Sequence, residues 1–288
     1  MSTSLNNGAA EESIPLLSVC IVTYNHEKYI RQCLDSALAQ QTNFPFEIII
    51  GEDCSKDATR AIIQEFEQHY PETIVPIYHD RNVGAARNNF EFVFGKARGK
   101  YLAILDGDDY WTDHQKLQKQ VDYLEAHPET SFCFHRSDSV DDDGKLIETG
   151  VRSEAITVHN WKDVFHIFIP TLSVVCRNHF ASIPPEMLVT KSGDAFIFAI
   201  LSGYGNAADL GFVGSAYRVH GGGTYSSKSQ VDRFIQTIEN RKLMRSASCF
   251  SELQKRELTI EIKKRKSTYT KQFIKKGQII NALKIILT

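Results

Sequence analysis

Between residues 16 and 134 short apolar runs alternate with segments whose apolar residues recur at helical spacing, and no other feature restricts the fold as strongly. Leu17–Thr23 is rich in β-branched residues and reads as a strand, while Ile30, Cys33, Leu34 and Leu38 mark one face of a helix over 29–40. A second strand follows at 46–51. Asp57 then stands where it can cap a helix reaching about Tyr70, with Ile62, Ile63 and Phe66 inside. Strands at Ile74–Tyr78, 101–105 and 131–134 are separated by helical patterns at 84–97 and after Thr112 or Asp113, the latter with Leu117, Val121 and Leu124 as its stripe. Continuous apolar strands interleaved with helices imply an α/β fold, a mostly parallel Rossmann-like sheet flanked by helices.

After Ser137 the alternation stops. Asp141-Asp142-Asp143-Gly144 signals a turn, the tip of a hairpin. Beyond it the patterns suggest a helix over 159–168, a strand over 173–177, a short apolar helix at Asp194–Leu201 and a strand over 212–219 that ends in a loop from His220 to Gly223. From about Val231 the chain is helical and basic, with Lys263, Lys264, Arg265, Lys266, Lys271, Lys275 and Lys276.

With 42% hydrophobic and 24% charged residues and a net charge of −2, the chain can bury a large core and lacks the basic field expected of a nucleic-acid binder. Its six cysteines are scattered and form no metal-type pair. Cys20, Cys133 and Cys176 lie in apolar runs and read as buried free thiols of a reducing, cytoplasmic compartment. The polar, acidic residues 1–13 lack the basic start and apolar stretch of a signal peptide. No apolar run nears the roughly 20 residues needed to span a bilayer.

The segment YLAILDGDDYW, residues 101–111, carries the strongest chemical signal. An apolar strand ends abruptly in Asp106, Gly107, Asp108 and Asp109, and in open α/β sheets ligands sit at the carboxyl ends of strands. Carboxylates this close repel unless a cation neutralises them, and hard oxygen donors favour Mg²⁺ or Mn²⁺ bridging protein to a diphosphate. Gly107 lets the backbone turn tightly beside a ligand. A solvated acidic turn that caps the next helix is the competing reading; the buried strand before it and Tyr110-Trp111 after it weigh against that.

Three further segments close neighbouring strands. In Thr23-Tyr24-Asn25-His26, Tyr24 would stack on a nucleobase or simply pack in its loop. In the segment from Glu52 to Asp57, Asp53 would accept a hydrogen bond from a base or ribose or merely belong to a polar loop. In the segment from Asp80 to Asn88, Gly84 and its alanines permit close approach at a helix start, and Arg87 would reach ribose or phosphate or form a surface ion pair. Carboxyl ends of neighbouring parallel strands converge on one edge, so the four segments together weigh more than each alone.

In this order SVCIVTYNHEKYI, EDCSKD, RNVGAARNN and LDGDDYW resemble the bacterial family 2 glycosyltransferases, which have the GT-A fold; the likeness spans roughly residues 16–229. It implies a flexible N-terminus (1–15), a nucleotide half (16–137), an acceptor half (138–228) and a C-terminal helical region (229–288). By resemblance Asp108 is the primary ligand of Mn²⁺ or Mg²⁺, Asp106 lies at ribose and metal beside Gly107, Tyr24 meets the base between Thr23 and Asn25, and Asp53 contacts the base. Lys191-Ser192-Gly193-Asp194 resembles the motif whose aspartate is the catalytic base, with Gly-Asp where the family often has Glu-Asp. The segment from Tyr217 to Gly223 resembles the closing motif whose histidine, here His220, joins metal and diphosphate. Read alone, Asp194 is most simply a helix N-cap, and His220 is either a loop's phosphate contact or part of a plain turn.

The resemblance implies inverting transfer of a sugar from a nucleotide-sugar donor, UDP-linked by default, to a glycan or lipid-linked glycan hydroxyl in bacterial surface polysaccharide or lipopolysaccharide assembly. Two other functions compete: a sugar-phosphate nucleotidyltransferase, which normally needs a Gly-rich basic loop near its N-terminus, and a non-catalytic nucleotide-sugar-binding module. The basic C-terminal helices, with Ile279, Ile280, Leu283, Ile285 and Ile286, either contact an anionic membrane peripherally, at the inner face of the cell membrane, or dock on the domain with solvated lysines.

Overall fold

The computed structural model describes residues 14–191, 193–223 and 228–288, so the expectation for residues 1–13 falls outside it. Four parallel strands, β1 (Leu17–Thr23), β2 (Phe46–Glu52), β3 (Ile74–Tyr78) and β4 (Tyr101–Asp106), lie in the order β3-β2-β1-β4. Val22 is in register with both Gly51 and Asp106, so their carboxyl ends are level. On one face, α1 (Ile30–Leu38) and α2 (Thr59–His69) bury Ile30, Cys33, Leu34, Ile63 and Phe66 against Leu17, Val19, Ile21, Ile48 and Ile50. On the other face, Cys20, Ile49, Leu102 and Ile104 share a core with Phe90, Val93 and Phe94. Strands covered on both sides cannot alternate apolar with polar, which is why they were legible as continuous apolar runs.

The sheet continues through β9 (Val175–Arg177), β6 (Thr130–Val140), β10 (Asn206–Arg218) and β5 (Tyr110–Trp111). Here the directions mix: β9 is antiparallel to β4 and β6, β6 and β10 are parallel, and β5 is antiparallel to β10. The expected hairpin at Asp141 and Gly144 is closed by β7 (Leu146–Glu148), and β8 (Thr157–His159) joins β10. The pairing of Trp111 with Ser215 and Tyr110 with Ala216 fastens the residues after the acidic tip of β4 to the far end of the sheet.

Several boundaries depart from the sequence expectation. The helix over 84–97 is two single turns, α3 (Ala85–Arg87) and α4 (Phe94–Lys96), joined by a π-helical turn at Asn88–Val93. Buried Asn88 donates to the Gly51 carbonyl (2.7 Å) and meets His79 Nε2 (3.0 Å), anchoring the backbone to the sheet where the helix widens. Over 159–168 a 3₁₀ turn, Asp163–Phe165, replaces the expected helix, with Val164 and Phe165 pulled into the core. β6 and β10 run longer than their apolar stretches because each pairs with the other along its length, and pairing overrides local polarity. Asp57 and Asp113 sit just outside their helices. Ala58 and Gln115 take the cap positions of α2 and α5 (Lys116–Ala126), and the carboxylates accept from the Thr59 and Gln115 amides.

The C-terminal part contains α6 (Asp194–Leu201), α7 (Gln230–Ser246), α8 (Glu252–Lys275) and α9 (Ile279–Leu287). The last three share a small core of Val231, Ile238, Ile262, Phe273, Ala282 and Ile285, while Met244, Phe250 and Leu258 belong to the main core. Cys20, Cys133 and Cys176 are buried and unpaired as expected, and Cys33 joins them. Among the described residues no helix is long and apolar enough to cross a membrane.

One buried cation stands out. Lys116 is fully enclosed, its Nζ lies 4.2 Å from the Trp111 ring centroid, and among the described residues that atom has no hydrogen-bond partner. Burial pushes its amine down to about 7, against roughly 10.4 in the unfolded chain. Below the folded value both states are protonated and the full desolvation cost opposes folding; the cost fades as pH rises toward the unfolded value. Lys116→Met should therefore stabilise the protein by about 1–3 kcal/mol near neutral pH. It should also flatten the rise in stability between about pH 7 and 10. Urea unfolding at several pH values across that window checks both.

Candidate active site

The tips of β1, β2 and β4 meet at one edge of the sheet. The Gly107 amide donates to the Val22 carbonyl (2.9 Å) and the Asp53 amide to the Thr23 carbonyl (3.1 Å). A Cβ on Gly107 would lie 2.7 Å from Thr23 Cβ and Oγ1, so only glycine lets β4 pass this close to β1. The Asp109 amide then bonds back to the Asp106 carbonyl (3.0 Å), and the tight turn sends three carboxylates into different surroundings.

Asp109 is buried and accepts from the Arg218 amide (2.7 Å). Burial, then the charges of Asp108 and Asp106, raise its carboxyl well above the usual range, with Arg218 opposing. Asp108 Oδ2 meets His220 Nε2 at 2.9 Å and His26 Nε2 at 3.7 Å. Burial pushes Asp108 upward, but the His220 hydrogen bond and the His26 charge outweigh it and hold the carboxyl below its ordinary value. His220 is raised by that hydrogen bond, and His26 is lowered by burial. Asp106 has neither kind of help. No hydrogen bond reaches its carboxylate among the described residues, and burial together with the charges of Asp108 and Asp194 pushes it up to about 7.

Thr23 Oγ1 lies 3.2 Å from His26 Nδ1. The Tyr24 ring is exposed at the rim. Asn25, with a left-handed φ of 55°, ties two loops together: its amide donates to Ser55 Oγ and its Oδ1 accepts from the Lys56 amide. Asp53 is buried and spends its carboxylate on the backbone, accepting from Val83 (2.6 Å) and Gly84 (3.0 Å). It thereby pins the loop after β3 to the tip of β2. Arg87 forms an exposed ion pair with Glu91 (2.7 Å), the alternative the sequence had left open. Asp194 is the first residue of α6 rather than its cap, which is Gly193, and its Oδ1 accepts from the Ala195 amide (2.8 Å). A Cβ on Gly193 would sit 2.3 Å from Phe90 Cζ, which accounts for glycine where the resemblance leads one to expect glutamate. Residues 192 and 224–227 lie outside the described residues.

These features agree with what the chain is similar to. The profile described as Glycosyl transferase family 2 matches residues 18–183. The chain belongs to glycosyl transferase family 2. An uncharacterized protein of Mycobacterium tuberculosis is 37% identical over 220 residues; the match covers 73% of this chain and 61% of that relative, so the chain spans about three-fifths of its length. TuaG of Bacillus subtilis, named for teichuronic acid biosynthesis, is 40% identical over 112 residues, 38% of this chain and 42% of TuaG. Among solved structures, TarS 1-349 of S. aureus in complex with UDP-GlcNAc superposes with a TM-score of 0.66 at 21% identity, covering 93% of this chain and 79% of that one. The mannosyltransferase PcManGT of Pyrobaculum calidifontis, with GDP-Man and Mn²⁺, gives 0.61 at 15% identity over 95% and 74%. At such identities the likeness is one of fold, and that fold is GT-A.

Sequence reasoning assigned no role to several residues that organise this family 2 site. Arg218 is the main one. Its guanidinium donates to the carbonyls of Asp108, Asp141 and Asp142 and to Gln32 Oε1, and lies over the rings of Tyr29 (4.8 Å) and Tyr110 (5.4 Å). A buried-side arginine two residues before His220 was the available signal. α7 supplies others. Gln236 Nε2 donates to the Lys191 carbonyl (2.8 Å), its Oε1 accepts from Lys228 Nζ, and Thr190 Oγ1 donates to Asn240 Oδ1. No motif announced these, because they act across folded distance.

Arg218 bonds acceptors on three other segments at once, so its loss leaves those acceptors without donors. Arg218→Ala should cost about 2–5 kcal/mol. Arg218→Lys should recover less than half of that, because an ammonium cannot serve the same fork of acceptors. Guanidinium unfolding measures both; a loss below about 1 kcal/mol for the alanine variant would contradict the assignment.

Proposed function

We propose that this chain is an inverting, metal-dependent glycosyltransferase that moves a sugar from a nucleotide-sugar donor to an acceptor hydroxyl. The observation that carries the reading is Asp106, a carboxylate at the sheet's ligand-binding edge, unpartnered among the described residues and pushed up to about 7 by burial and two neighbouring acids. A site of that kind is electrostatically incomplete, and a cation completes it.

The donor set suits Mn²⁺ or Mg²⁺. Among the described residues no group of three His, Cys, Asp or Glu is assembled as a ready cage. Mg²⁺ is ordinarily held by one or two carboxylates and fills its shell with water and phosphate oxygens, which is what adjacent Asp106 and Asp108 would offer. Held by these two, with His220, the ion would offset negative charge growing on the departing diphosphate.

The chain's own groups supply the rest. Tyr24 presents an exposed ring for the base, flanked by Thr23 and Asn25. Asp53 keeps lone pairs beyond the two that hold Val83 and Gly84. Arg87 would exchange its Glu91 partner for ribose or phosphate. Asp194 accepts the acceptor's proton while the hydroxyl oxygen bonds to the anomeric carbon and the bond from that carbon to the diphosphate breaks. One displacement inverts the centre. Asp194 stands close enough for its charge to raise Asp106, which supports its belonging to the same site.

UDP is the donor nucleotide we assign, in keeping with TarS and its UDP-GlcNAc complex; PcManGT, with GDP-Man, makes GDP the comparison. TuaG's name supports assembly of a bacterial surface glycan, with a glycan or lipid-linked glycan acceptor lying against residues 138–228 on the cytoplasmic side.

A thermal-shift series with UDP, GDP and their sugars tests the donor site. UDP with Mn²⁺ should raise the melting midpoint, and EDTA should abolish the gain. Asp108→Ala should remove the metal-dependent shift. Asp194→Asn should keep the shift and lose transfer by about 10²- to 10⁴-fold. Near-normal transfer by Asp194→Asn would sink the base assignment. Nucleotide binding without transfer or hydrolysis of any donor would make the chain a binding module.

A further inference from the structure

The last helix leaves its larger apolar side in water. In α9, Ala282 and Ile285 pack into the small core with α7 and α8, whereas Ile279, Ile280, Leu283, Ile286 and Leu287 are 54%, 74%, 52%, 52% and 84% exposed. At helical spacing these five fall within an arc of about 120°, turned away from the buried pair. A single exposed leucine needs no explanation, but a contiguous aliphatic strip marks an interaction surface.

Cations bracket the strip at both ends. Lys275 and Lys276 precede the helix and Lys284 lies on it. Lys266 Nζ donates to the Ile286 carbonyl (3.0 Å), and Lys242 Nζ donates to the Thr288 oxygen, which places two more lysines at its far end. Residues 263–288 carry eight Lys or Arg and no Asp or Glu, whereas the rest of the chain carries 25 basic against 35 acidic residues. The positive charge is thus gathered where the aliphatic side chains are exposed.

We propose that α9 is a membrane-docking surface: its aliphatic strip enters the headgroup boundary of an anionic bilayer while the surrounding lysines meet lipid phosphates. The chemistry favours a bilayer over a protein partner. Interface cores are depleted of lysine, and a second copy of this chain would bring two cationic rims together. A bilayer instead offers apolar depth under a diffuse negative surface. Ala282 and Ile285 pack on α7 and α8, and that contact covers one side of α9.

The test uses the full chain without donor, so its result is separate from that of the transfer reaction. Sedimentation with vesicles of phosphatidylglycerol and phosphatidylcholine should capture the protein at least about ten-fold better than phosphatidylcholine alone, and the preference should weaken with salt. The double variant Ile280→Glu/Leu283→Glu should lose about ten-fold or more of that binding. The triple variant Lys275→Gln/Lys276→Gln/Lys284→Gln should lose the preference for anionic lipid. All substituted side chains are exposed, so melting midpoints should stay unchanged. Equal capture by both vesicle types, or wild-type capture of the glutamate variant, would overturn the proposal. So would sedimentation equilibrium showing a dimer that the glutamate variant dissolves, since the strip would then be covered by a second copy.

Discussion

Three aspartates in four residues cannot share a strand end unless each handles its charge differently, and much of the molecule is arranged around that problem. Two like charges about 4 Å apart repel by roughly 4 kcal/mol at an effective dielectric of 20, more than a typical hydrogen bond returns. Asp109 meets the problem by facing inward to the Arg218 amide, Asp108 by pairing with His220 and His26. Asp106 is left with no partner among the described residues and two acids nearby. The tip is therefore stable in part and poised in part. The unsolved charge sits where a sheet of this topology exposes its ligand-binding edge.

The solution for Asp109 and Asp108 comes from the other end of the chain. β5 follows the acidic tip directly, and its pairing with β10 brings residues 218 and 220 back to residues 106–109. Arg218 serves there as a fork with several acceptors, three of them backbone carbonyls from two loops. An arginine can satisfy that set with one rigid group, which a lysine cannot. The site is thus closed by strand pairing.

How much of this was legible in sequence follows from the range of each interaction. β1 to β4 and their helices were readable because burial on both faces writes a local, continuous apolar signal. The edge carrying Thr23, Asp53 and Asp106 followed from topology, since parallel strands end together. β6 and β10 were only half visible, because residues 135–139 are strand by pairing and not by composition. The π-helical turn depends on Asn88 reaching Gly51 and His79, contacts that no window of sequence contains. Asp53 shows a further limit. Its position was foreseen, but its two bonds to the Val83 and Gly84 amides were not, because one carboxylate type serves backbone and ligand alike.

The C-terminal helices show the same limit most clearly. Read from composition they are a basic appendage, yet α7 holds the segment that leads into Asp194 at two points, Gln236 to Lys191 and Asn240 to Thr190. Gln236 also accepts from Lys228, beyond the glycine loop that carries His220, so one buried amide touches both approaches to the site. Arg241, one residue after Asn240, is buried enough to be lowered to about 10, with Asp194 among the charges opposing that fall. A buried amide bonded at both ends loses its hydrogen bonds if either loop shifts, at a cost of about 1–3 kcal/mol for each group left unsatisfied. The backbone before Asp194 and Lys228, beyond the loop of His220, therefore share one support in α7, which composition alone shows only as a basic helix.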